Sequence, residues 1–143
     1  MDIRYPLATV GALVVGPTGK ILIVKTTKWR GSWGVPGGKV DWGEPLEAAL
    51  KREFQEEVGL TLHTIQFALL QEAVCDAQFY KKAHFILINY YARCDQEAIV
   101  PNEEIEEWAW VPPPTALTYP LNTFTTVLAQ DYLTTNPYAL RLE

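Results

Sequence analysis

Residues 8–15 and 21–25 are almost wholly apolar and rich in Val, Ile and Leu, and Gly16-Pro17-Thr18-Gly19 separates them. Apolar β-branched runs around such a turn predict a β-hairpin. Residues 26–31 form a polar, basic loop. Trp33-Gly34-Val35 then leads into Pro36-Gly37-Gly38, where glycines permit tight backbone geometry, and residues 39–42 predict a short strand. The period changes over residues 45–58. At roughly 100° per residue, Leu46, Ala49, Leu50, Phe54 and Val58 make one apolar stripe of a helix. Pro45 suits its first position, and Gly59 a left-handed end. Residues 64–73 and 84–92 read as strands, with 74–82 a loop between them. An acidic loop (95–104) precedes a strand at 107–111, and Pro112-Pro113-Pro114 breaks the structure. Leu121, Phe124, Leu128 and Tyr132 mark a second amphipathic helix over residues 121–133. Strands interspersed with two helices predict an α/β fold with a mixed sheet between helical layers.

The first helix breaks its own pattern. Glu53, Glu56 and Glu57 project within about 100° of one another. Glu53 and Glu57 fall inside the apolar stripe, with Glu56 at its edge. Acids at such positions oppose burial, and Glu53 and Glu57 are a like-charge i, i+4 pair that costs a few tenths of a kcal/mol. Charged runs such as Lys51-Arg52-Glu53 are ordinarily solvated helix faces. The alternative is a divalent cation that offsets the clustered charge. A breach of local design of this kind marks a candidate active site.

Composition narrows the function. The chain has 143 residues, 48% hydrophobic and 20% charged, with a net charge of −5. That is ordinary for a globular domain, and it argues against binding a nucleic-acid polymer. Cys75 and Cys94 lack metal-ligand spacing; both are read as buried thiols, and a disulfide between them has no support. Residues 7–16 superficially resemble a signal-peptide core but lack its basic flank and cleavage site, so they are read as a strand. No run approaches the roughly 18 apolar residues of a membrane span. A cytoplasmic protein is expected.

Residues 38–60 resemble the Nudix box, G-x5-E-x7-R-E-U-x-E-E-x-G-U, where U is bulky and apolar. Gly38, Glu44, Arg52, Glu53, Phe54, Glu56, Glu57, Gly59 and Leu60 fill every fixed position. Phe54 departs slightly, since the family more often has an aliphatic residue there. The preceding Pro36-Gly37 and the order of elements also look like the family. The resemblance implies one Nudix hydrolase domain over residues 1–143, an α/β/α sandwich. It implies metal-dependent cleavage of a pyrophosphate in a nucleoside diphosphate linked to another moiety: a nucleoside triphosphate, a damaged nucleotide, ADP-ribose or a nucleotide sugar. Glu53, Glu56 and Glu57, with the Gly37 carbonyl, would hold Mg²⁺ or Mn²⁺, both hard cations suited to oxygen ligands. Glu44 and Arg52 would support that set as an ion pair; a plain surface salt bridge is the alternative. Catalysis would rest on Glu53, Glu56, Glu57, Arg52 and Glu44. Family members differ over the general base, for which Glu56, Glu103 and Glu104 are the choices here. Inactive relatives usually lose box acids, and this chain keeps them, which weighs against a silent nucleotide-sensing module.

Substrate contacts are more open. Trp29 lies in a basic segment before the box, where it could stack on a base while Lys28 or Arg30 meets phosphate. Packing is the commoner fate of an aromatic ring, and one of Trp108 and Trp110 belongs in the core. Glu104 could contact substrate or stay solvated, and Asn122 could touch a base or simply open a helix. The expected partner is a small nucleotide; a homodimer is compatible with the chain.

Overall fold

The computed structural model describes residues 4–139. The first two apolar runs become β1 (Leu7–Val15) and β2 (Ile21–Thr26). They form a hairpin only at its mouth, where Val15 pairs with Ile21, and then they part. The edge of β1 that β2 leaves is taken by β4 (Gly37–Lys39), and the matching edge of β2 by β3 (Trp33–Gly34). The segment from 33 to 39 therefore bridges a splayed sheet. The other edge of β2 pairs with β7 (Ile105–Val111). The other edge of β1 pairs in parallel with β6 (His84–Arg93), from Leu7 opposite Phe85 to Val15 opposite Arg93. β5 (His63–Val74) runs antiparallel along the far side of β6.

The sheet is mixed and covered on both faces, which is why β1 reads as a continuous apolar run rather than an alternating one. Successive β1 side chains go to opposite faces. Val10, Ala12 and Val14 join one core with Ala49, Leu50, Phe54 and Val58 of α1 (Leu46–Val58). Leu13 and Val15 join a second core with Leu128, Ala129 and Tyr132 of α3 (Thr123–Thr135). This is the expected arrangement of a mixed sheet between helical layers.

Several boundaries differ from expectation, each for a local reason. The strand placed at 39–42 lies at Gly37–Lys39, because only there can the backbone press against β1. A Cβ on Gly37 would sit 2.2 Å from the Val10 carbonyl oxygen. Pro45 is the N-cap of α1, in extended conformation, rather than its first helical residue. Leu46 stays 39% exposed at the open end of the stripe. The proline run does not simply break structure: Pro112 caps and Pro113 starts the short α2 (Pro113–Ala116), where a missing N–H costs nothing. α3 begins at Thr123, two residues later than the apolar period suggested, because the Asn122 side chain accepts from the Thr125 N–H. Cys94 is buried but Cys75 is exposed, and both are free thiols. Trp110 packs against the core, whereas Trp108 is exposed. No helix among the described residues is long and apolar enough to cross a membrane.

Candidate active site

A cleft of about 390 Å³ opens beside the bridging segment 33–39, with the acidic face of α1 at one end. Arg52 organises that end. Its Nε and Nη2 donate to Glu44 at 2.7 and 2.9 Å, and Nη2 also reaches the Lys39 carbonyl at 3.0 Å. Nη1 donates to Glu53 at 3.1 Å and to Glu56 at 3.2 Å. The hydrogen bonds from Arg52, helped by the Asp41 N–H, hold the Glu44 carboxyl down to about 2, while the same contacts raise the Arg52 guanidinium. An ion pair that clamps a carboxylate this firmly has little rotational freedom left.

Glu53 and Glu57 are in a different state. Burial pushes the Glu53 carboxyl up, against the pull of Arg52. Glu57 is only 7% exposed. Its Oε2 accepts from the Gly37 N–H at 3.1 Å, yet burial, with the charges of Glu53 and Glu104, pushes its carboxyl up to about 8. A buried carboxylate short of positive charge favours its neutral form or a cation. Gly38 is the residue that lets the strand approach the acids: a Cβ there would lie 2.4 Å from the Glu53 carboxylate. Glu56 is the most open of the three.

The donor set is all oxygen and suits a hard divalent ion. The side chains as placed are not a ready cage, for among the described residues no group of three or more His, Cys, Asp or Glu is set to hold a metal. The physical reason is Arg52, whose Nη1 supplies the positive charge that Glu53 and Glu56 share. A cation would have to draw those two carboxylates from it.

Across the cleft, Lys28 Nζ pairs with Glu104 Oε1 at 2.9 Å. Burial would lower the ammonium, but the Glu104 hydrogen bond and the charges of Glu104 and Glu57 outweigh it and raise it. Asn102 shapes this loop: its Oδ1 accepts from the Glu104 N–H at 3.0 Å, and its own N–H donates to the Glu57 carbonyl at 2.9 Å. The far end of the cleft is aromatic. Trp29, on a 3-10 turn at Thr27–Trp29, meets Phe79 edge-on at 4.9 Å and Phe124 at 6.0 Å.

The cleft thus joins a cluster of helical acids braced by one arginine to an aromatic wall. The NUDIX domain family model matches residues 6–131. The chain belongs to the Nudix family. Over 102 residues it is 31% identical to the nucleoside triphosphatase NudI of Escherichia coli strain K12, covering 66% of this chain and 72% of NudI. It superposes on the MutT NUDIX hydrolase from Burkholderia pseudomallei with a TM-score of 0.74 at 30% identity, covering 90% and 98% of the two chains. The Nudix domain of Shewanella oneidensis NrtR, solved with ADP ribose, gives a TM-score of 0.77 at 22% identity over 94% and 90%, a likeness of fold alone. The protein is thus a Nudix pyrophosphohydrolase, a hydrolase of nucleotide-linked pyrophosphates, and Nudix hydrolases generally use divalent metals.

Within this Nudix cleft the structure gathers Gly37, Glu53, Glu56, Glu57, Lys28, Trp29, Glu104 and Asn122. Glu44 and Arg52 stand behind the acids. Arg30 does not line the cleft; its guanidinium donates to the Phe79 and Tyr80 carbonyls and ties down that loop. Glu103 is exposed and also outside the lining. Sequence reasoning missed Asn102, Asn89 and Phe79. Asn89 carried one signal, a lone amide in an otherwise apolar strand run, while Phe79 lies in a loop with no periodicity to mark it.

Proposed function

We propose that the protein hydrolyses nucleoside triphosphates, with Mg²⁺ or Mn²⁺ bound by Glu53, Glu56 and Glu57 and by the Gly37 carbonyl. The observation that carries this reading is the buried Glu57 beside Glu53, a carboxylate with little positive charge around it. The 31% identity to a nucleoside triphosphatase supports the choice of substrate class. The ion would polarise the pyrophosphate and neutralise its developing charge. Glu44 holds Arg52, and Arg52 orients Glu53 and Glu56. Lys28 faces the phosphates, and Trp29 stacks on the base. Glu56 and Glu104, which line the cleft, are the proposed acceptors of a proton from the attacking water; Glu103 is exposed and outside that lining. The cytoplasm is the proposed location of this activity.

The test is turnover on nucleoside triphosphates, ADP-ribose and nucleotide sugars, with Mg²⁺, with Mn²⁺ and with EDTA. Metal-dependent hydrolysis of nucleoside triphosphates at kcat/KM above about 10⁴ M⁻¹s⁻¹ is expected. A preference for ADP-ribose or a sugar conjugate would correct the substrate class. Hydrolysis that EDTA leaves untouched would contradict the metal role.

A further inference from the structure

We propose that Asn89 reads the nucleobase as a hydrogen-bond donor to the group at C6 of a purine or C4 of a pyrimidine, and that Gln71 fixes the end of Asn89 that faces the cleft. The proposal rests on the nucleotide reading above.

The geometry is a relay. Gln71 Nε2 lies 2.9 Å from the Phe124 backbone carbonyl and 3.1 Å from Asn89 Oδ1. A backbone carbonyl can only accept, so Gln71 must turn its nitrogen toward Phe124. The second hydrogen of that nitrogen points at Asn89, which must then offer its oxygen. The Asn89 NH₂ is left facing away from Gln71. Asn89 is 8% exposed and lies on the face of β6 that also carries Phe85 and Leu87, and all three line the cleft. Its Nδ2 makes no hydrogen bond to the described residues. None of their buried polar side-chain atoms is both sealed and unpartnered, so this amine opens on the cleft.

A pure donor on an apolar, aromatic wall distinguishes bases. It can pair with O6 of guanine or O4 of uracil or thymine. Against the exocyclic amine of adenine or cytosine it would set donor against donor, and both would lose water without gaining a partner. The inference is a preference for oxo-bases, set by the Gln71–Asn89 pair. Gln71 acts only as a positioning residue, because it does not line the cleft.

The experiment measures calorimetric binding of GMP, UMP, AMP and CMP to the full chain, alongside turnover of the matching triphosphates. Wild type should bind GMP or UMP at least about 10-fold more tightly than AMP or CMP, the discrimination expected of one well-placed polar contact. Asn89→Asp keeps an oxygen for Gln71 and turns a second oxygen to the cleft, so the preference should shift toward AMP and CMP. If that variant does not fold, Asn89→Ala should flatten the preference. Gln71→Leu frees Asn89 to turn over and should also flatten it, raising KM for the preferred triphosphate more than it lowers kcat. An amino-base preference in wild type, a preference unchanged in a folded Asn89 variant, or no monophosphate binding at millimolar concentration would overturn the proposal. Oxo-base binding without triphosphate turnover would uphold it and sink the triphosphatase reading. Turnover with no base preference would do the reverse.

Discussion

At one end of the cleft, Glu53, Glu56 and Glu57, with Glu44 and Arg52 behind them, come from a single helix and its entry loop. At the other, Trp29, Phe79, Asn89, Asn122 and Phe124 come from separate stretches that meet only in the folded sheet. The first end is charged and braced: one guanidinium touches Glu44, Glu53 and Glu56. The second is aromatic and holds a small number of amides. Helix geometry determines the spacing of the acids, so their arrangement follows from local sequence. The aromatic end depends on strand register and on loops, and so it can be re-cut without disturbing the acids. On the proposed function, chemistry and selectivity would be divided between these two sets of residues.

Substitutions at the two ends should consequently behave differently. Glu57→Gln should lower kcat by about 10³-fold, roughly 4 kcal/mol of lost transition-state stabilisation, while circular dichroism shows an intact fold. Near-normal turnover by the folded variant would remove Glu57 from the metal site. Gly38→Ala places a methyl 2.4 Å from the Glu53 carboxylate. A shift of about 1 Å in that acid should cost about 10²-fold in kcat, with little change in KM. Trp29→Ala, at the opposite end, should raise KM by roughly 10-fold and lower kcat less, the loss of one stacked base being worth about 1–3 kcal/mol. If kcat falls and KM holds, the two ends are not separable and Trp29 packs rather than stacks.

A further effect concerns stability without metal. The Glu57 carboxyl sits at about 8 in the folded chain, against an ordinary value of 4.5. The folded state then binds this proton more tightly than the unfolded one. Its contribution to stability is complete below 4.5, is lost as the pH rises toward 8, and changes no further above that. In EDTA, wild type should therefore melt at a lower temperature at pH 8.5 than at pH 5, and Glu57→Gln should shrink that difference. Equal pH dependence in the two proteins would show that another group is responsible.

The same contrast explains how far the sequence could be read. The acids were visible because they violate a 3.6-residue period, and Glu57 is buried where the stripe predicted an apolar residue. Sheet layers followed from apolar runs that are covered on both faces. What stayed hidden was the parting of β1 and β2 after one residue pair. That depends on a glycine-rich strand, 37–39, inserting where a simple hairpin would have continued. The site's far end was hidden for the same reason. Nothing near Asn89 in the chain announces that Gln71, itself held by the first turn of α3, will meet it, and Arg30 looked like a phosphate ligand because its loop carbonyl partners are about 50 residues away.

The most direct measurement is Mn²⁺ binding to wild type and to Glu57→Gln, followed by electron paramagnetic resonance so that no turnover is needed. Wild type should bind the ion, and the variant should bind it at least about 10-fold more weakly, the lower range for loss of a group around a metal. Equal affinity in the two folded proteins, or no binding to wild type, would contradict a metal site on α1.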